Sequence, residues 1–135
     1  MRYFVLIDGE AGDYGVAFPD LPGCVAMGDT VEGALANAAD ALRDWIDLTE
    51  ENGDSVPPPR PLEALRTDGE VARALSDGAS LAAVPLVRET GKSIKANLSL
   101  DAGLLAAIDE EAQRRKLTRS AFIELMARRM LSEVA

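Results

Sequence analysis

The 135-residue chain contains no histidine and only one cysteine, Cys24. The missing histidine removes the usual general base near neutral pH and the commonest metal ligand, so any catalysis would have to rest on carboxylates. The lone cysteine excludes an internal disulfide and fits a reducing compartment. Aromatic residues make up 4% of the chain against 47% hydrophobic residues overall, so its core is built mainly from Ala, Leu and Val. No apolar run approaches the roughly 18–20 residues of a membrane span. The N-terminal MRYFVLIDGE is too short for a secretory signal and lacks a small-residue cleavage site. These features point to a cytoplasmic protein with no membrane partner, and nothing in them calls for a cofactor.

Charge is present but unevenly placed. Residues 1–91 carry 6 basic and 17 acidic residues, a net −11, whereas residues 92–135 carry 8 and 6, a net +2. A sign change along a chain suggests two kinds of partner; simple solubility of an acidic domain is the plainer explanation.

The first part alternates between strand and helix patterns. RYFVLID (2–8) is a continuous apolar run that predicts a strand buried on both faces. YGVAF (14–18) predicts a second strand antiparallel to it, and CVAMGD (24–29) a short third, after the break at PDLPG (19–23). Asp29 followed by Glu32 has the spacing of an N-cap with a capping box. The ensuing helix puts Val31, Leu35, Ala38, Leu42, Trp45 and Thr49 on one stripe and ends near Asn52–Gly53. VPPPRP (56–61) is an extended connector rather than a helix or central strand. Residues 62–77 hold one or two helical turns. LAAVPLV (81–87) is a fourth strand, which Pro85 assigns to an edge or a bulge.

The stretch KSIKANLSL (92–100) poses the main puzzle. Ser93, Lys95, Asn97 and Ser99 alternate with Ile94, Ala96, Leu98 and Leu100, as in a half-buried strand. Two helical patterns follow it and no partner strand does. The first, about 101–116, predicts burial of Leu104, Leu105, Ile108 and Ala112. The second, about 119–132 after an N-cap at Thr118, predicts burial of Phe122, Ile123, Met126 and Met130. A lone strand leaves its backbone groups unpaired, and some 40 residues offer too little apolar area for a stable monomer. Pairing between two copies across a twofold axis answers both difficulties. The ribbon so formed presents Ser93, Lys95 and Asn97, residue types able to read base edges in a major groove. Amides around Thr118, Arg119 and Ser120, at the start of the second helix, suit a phosphate. A dimerisation strand with a merely solvated polar face fits the alternation equally well.

Together with the LTRSAF turn, KSIKANLSLDAGLLAAIDEEAQRRKLTRSAFIELMARRML resembles the ribbon-helix-helix repressors. Likewise FPDLPGCVAMGDTVEGALANAADAL (18–42) resembles the HicB antitoxin family. The resemblance implies an α+β protein. Residues 1–90 would be a degraded ribonuclease-H-like domain of three strands, a long helix and a fourth strand. Residues 91–135 would be a ribbon-helix-helix (strand-helix-helix) domain for dimerisation and DNA binding. It implies that the first domain neutralises HicA, a small basic toxin that cleaves messenger RNA. The second would bind operator double-stranded DNA as a homodimer or higher homo-oligomer. The alternative is a stand-alone repressor whose first domain senses a small molecule.

Catalysis fits poorly. A ribonuclease-H-like site needs several carboxylates converging on two metal ions. Asp8 and Glu32 are the only tempting pair, and the fourth strand offers no third acid. No catalytic or metal-binding residue is therefore assigned, and the chain reads as a non-enzyme. Cys24 has no histidine or second cysteine to activate it and reads as a core residue. Trp45 reads as core packing, and Arg114–Lys116 as cations at a helix C-terminus.

Overall fold

In the computed structural model, which describes residues 1–131, the first apolar run is strand β1 (Arg2–Glu10). It lies inside an antiparallel sheet with β2 (Asp13–Ala17), β3 (Val25–Gly28) and β4 (Ser80–Pro85), in the order β3-β2-β1-β4. The order of elements, three strands, a long helix and a fourth strand, is the one expected. Pro85 ends an edge strand, where its missing N–H costs no ladder bond.

Helix α1 (Val31–Glu51) packs on the face that carries Tyr3, Val5, Ile7, Val16 and Val84. The expectation that β1 is buried on both faces is corrected: Phe4 and Leu6, of the opposite parity, are only half-buried. α1 covers one side of the sheet, so a continuous apolar run here acts as an alternating strand. Gly28 permits the close approach, because a Cβ there would lie 2.4 Å from the Ala34 amide nitrogen.

Two details of α1 also differ from the sequence pattern. The N-cap is Thr30, not Asp29: the Thr30 hydroxyl accepts from Gly33 N at 3.0 Å. The Asp29 carbonyl is used instead by Gly12 N, at 2.9 Å, in the β1–β2 turn. The buried stripe is Ala34, Leu35, Ala38, Leu42 and Ile46, which leaves Val31 exposed and Trp45 half-buried at its margin. Trp45 donates from Nε1 to the Pro22 carbonyl at 3.2 Å, so it closes the core edge. The helix ends at Asn52–Gly53 as expected, with Gly53 at φ +80°.

The proline-rich connector is extended and pinned at two points. The Tyr3 hydroxyl donates to the Pro57 carbonyl at 2.7 Å. Arg60 donates from its backbone N–H and its Nε to the two oxygens of the buried Asp20, at 2.9 and 2.5 Å. Its Nη1 reaches Asp68, the N-cap of α3 (Gly69–Ser76), at 3.0 Å. α2 (Leu62–Arg66) and α3 are the two helical turns anticipated over 62–77.

Among the described residues the chain divides into one compact unit over Met1–Arg88 and a second over 89–131. The second unit contains α4 (Ala102–Arg114) and α5 (Arg119–Leu131). Asp101 caps α4 by accepting from Leu104 N at 3.0 Å. Its small core is Ile108, Ala112 and Phe122, flanked by Ile123 and Leu125. The expected burial of Leu104, Met126 and Met130 is not met within a single chain, where they are 56%, 38% and 69% exposed, and Leu105 is half-buried. Two short helices touch along one seam only, so their remaining apolar positions face outward.

α4 stops in a Schellman-type turn. Leu117 N donates to the Ala112 carbonyl at 2.8 Å and Lys116 N to the Gln113 carbonyl at 3.0 Å. Lys116 pays for this turn with a φ of +57°, in the left-handed region. Lys116→Gly is therefore expected to stabilise the second unit by about 1 kcal/mol. Thermal melting followed by circular dichroism checks the sign; an unchanged or lower midpoint contradicts it.

Candidate functional site

Three of the six DNA-contacting candidates, Ser93, Lys95 and Asn97, lie in the fully exposed stretch 91–100. In a single chain that stretch is neither helix nor strand. A strand is stabilised by a ladder, and none of the four sheet strands pairs with it. On the same stretch Ile94 is 91% exposed and Leu98 62%, so both sets of alternating side chains face solvent.

The other three, Thr118, Arg119 and Ser120, come together at the start of α5. The Thr118 hydroxyl caps the helix by accepting from Ala121 N at 3.1 Å. The Arg119 guanidinium forms a two-pronged pair with Asp109 on α4, with Nε and Nη2 each 2.8 Å from a carboxylate oxygen. These bonds hold the Asp109 carboxyl below its usual range and raise the arginine further. The pair orients the guanidinium at the positive end of α5, where an anion would sit. Among the described residues no hydrogen bond or ion pair joins the two triplets. Asp109 went unnoticed in the sequence because a turn brings it to Arg119 from ten residues away.

The Arg114–Lys116 run is more committed than its position suggested. Arg114 and Arg115 both bind Glu111, Arg115 through Nε at 2.8 Å, and hold its carboxyl down to about 2. Arg115 also stands over the Phe122 ring, 5.8 Å from its centroid.

In the first unit the tempting carboxylates do not converge. Asp8 has the parity of Phe4 and Leu6, on the face away from α1, whereas Glu32 is in the first turn of α1 itself. The sheet stands between them. Among the described residues no group of three or more His, Cys, Asp or Glu side chains is placed to hold a metal ion. Cys24 is 3% exposed in the core, and burial pushes its thiol up to about 11, the reverse of an activated nucleophile.

Residues 3–127 match the family model described as HicB-like antitoxin of bacterial toxin–antitoxin systems. The chain is 34% identical over 114 residues to antitoxin HicB 2 of Photorhabdus laumondii, covering 84% of this chain and 76% of that one. It is also similar to the crystal structure of the Burkholderia pseudomallei antitoxin HicB, with 27% identity, a TM-score of 0.53, and 94% and 96% of the two chains covered. A HicA3 and HicB3 toxin–antitoxin complex matches at 26% identity and a TM-score of 0.55, over 65% of this chain and all of that one. The chain belongs to the HicB-like antitoxin family. Membership supports an antitoxin role and a regulatory, non-enzymatic part in such a system.

Proposed function

We propose that residues 1–90 bind and neutralise a HicA-like, basic, messenger-RNA-cleaving toxin, and that residues 91–135 form a ribbon-helix-helix domain that represses the operon. The observation that carries the first half is the similarity to a HicB3 chain solved with HicA3. Family membership favours this reading over a small-molecule sensor. The charge division supports it as well, since a net −11 over residues 1–91 steers a basic protein and a net +2 tail does not repel DNA.

For the second half, the alternation at 92–100 next to the two exposed apolar helix faces is the supporting feature. Two copies pairing KSIKANLSL antiparallel would satisfy the strand and cover Ile94 and Leu98. The opposite ribbon face would then offer Ser93, Lys95 and Asn97 to base edges, and the α5 start with Arg119 to a phosphate.

The test has two arms. Co-expression with the short basic protein encoded beside this gene should give a complex that survives purification. Lys95→Ala or Asn97→Ala should each weaken operator binding by about 1–3 kcal/mol while leaving toxin binding intact. Gel-shift titration at two salt concentrations checks the first effect, because phosphate contacts make affinity fall steeply with salt. The assignment fails if Lys95→Ala spares the operator and abolishes protection from the toxin.

A further inference from the structure

Lysine is confined to one part of this chain. Its three lysines are Lys92, Lys95 and Lys116, and the six cations of residues 1–91 are all arginines. The two residue types are also used differently. Arginines hold carboxylates: Arg60 meets Asp20 and Asp68, Arg88 meets Asp47 and Glu50, and Arg119 meets Asp109. None of the three lysines enters an ion pair or a side-chain hydrogen bond among the described residues.

Lys92 and Lys95 lie in the fully exposed stretch 91–100, which is neither helix nor strand in a single chain. No acidic residue stands between Lys92 and Leu100. The nearest carboxylates along the sequence are engaged elsewhere: Glu89 accepts from Arg128 Nη2 at 2.7 Å, and Asp101 caps α4. Both ε-amines therefore stand in solvent on a backbone with no ladder or helical turn to break. An enzyme that grips its peptide as an added strand can take this segment without unfolding anything. The chemistry of the two cations then matters. A guanidinium keeps its charge, whereas a lysine amine becomes a neutral amide when an activated acyl group reaches it.

We infer that Lys95, with Lys92 beside it, is an acylation site that switches off operator binding and leaves toxin binding intact. The inference rests on the operator-binding reading of residues 91–135 and supplies its regulation. The donor is an acyl phosphate or an acyl thioester. The ammonium first loses a proton to water, and the free amine attacks the acyl carbonyl carbon. The new C–N bond forms as the bond to phosphate oxygen or thiol sulfur breaks, and the leaving group departs with a second proton. In the paired ribbon this removes a cation from the DNA-facing side of each copy. Residues 1–91 carry no lysine side chain, so the same donor leaves the toxin-binding part unmodified. Bound DNA covers Lys95, so acylation acts on the chain that is off its operator.

The experiment uses the full chain, with acetyl phosphate and acetyl-coenzyme A in separate incubations to tell the two donor classes apart. Peptide mass spectrometry should find Lys92 and Lys95 acetylated by at least one donor. DNA from upstream of the operon should slow labelling of Lys95 about fivefold or more. A chain carrying Nε-acetyllysine in place of Lys95 tests the consequence. Its operator affinity in a gel shift should fall about a hundredfold, because the change enters both copies. Its melting temperature and its affinity for the protein encoded beside the gene should stay unchanged. Nε-acetyllysine in place of Lys116, which is equally exposed but not assigned to the base-reading face, should cost no more than about fivefold. Lys95 left unlabelled by both donors, or labelled as fast on the operator as off it, overturns the site. An operator affinity within about fivefold after acetylation of Lys95, an equal loss from Lys116, or weakened toxin binding overturns the switch. If the acetylated chain does not fold, Lys95→Gln decides by the same measurements. An unmodified chain that does not bind operator DNA removes the underlying reading and the switch with it, a result distinct from all of these.

Discussion

Leu98→Asp is expected to abolish self-association of the chain and operator binding with it, while the first unit stays folded. Leu98 is 62% exposed in one chain, and its neighbours of the same parity, Ile94 and Leu100, are 91% and 40% exposed. In the proposed ribbon all three turn inward, under the helices of both copies. An aspartate there must shed water with no cation in reach, at about 2–3 kcal/mol per copy. The change enters both strands, so association weakens about a thousandfold or more. Sedimentation velocity across a concentration series measures it. A Leu98→Asp chain that sediments like the unaltered dimer would falsify the pairing of residues 92–100.

The second large effect lies at the connector. Arg60→Ala removes the cation from Asp20, whose side chain is 3% exposed, and from the N-cap Asp68 at the same time. Breaking a buried pair from one side typically costs about 3–5 kcal/mol. Arg60 itself is 37% exposed, and its backbone N–H bond to Asp20 survives, so the expected loss is nearer 2–3 kcal/mol. Urea unfolding should show a lower midpoint at an unchanged slope. Arg60→Lys should recover little, because one ammonium does not reproduce a planar fork that meets two carboxylates. A midpoint within experimental error of the unaltered chain would show the clasp to be decorative.

The contrast between these two sites shows what the sequence makes legible. The four sheet strands, the long helix and the two tail helices follow from local periodicity, and each appears close to its expected limits, whereas the strand expected over 92–100 is not formed in a single chain. The errors share a cause. Trp45 and Ile46 are adjacent on a helix, and which of them is buried depends on how far α1 is rotated against the sheet, a matter of tertiary fit. Asp29 and Thr30 both have cap chemistry, and the structure gives the cap to Thr30 while the Asp29 carbonyl accepts from a distant amide, Gly12 N. The Asp20–Arg60–Asp68 clasp joins residues 40 and 8 positions apart, and its longer arm has no local signature. At the candidate sites, Ser93, Lys95 and Asn97 were singled out by the alternation of side chains along the sequence, which the single chain does not turn into a strand. The Arg119–Asp109 pair required the turn between the two helices to be seen.

The solitary thiol has a practical consequence. Cys24 is enclosed by the core of the first unit and stays protonated at neutral pH, so alkylating reagents meet it only when that core opens. The rate at which the chain takes up such a reagent therefore clocks the breathing of residues 1–88, and no probe has to be built in. Added toxin that clasps the closed form should slow this clock by the factor its affinity and concentration dictate. An event in the tail that never reaches the first unit should leave it running at the same pace.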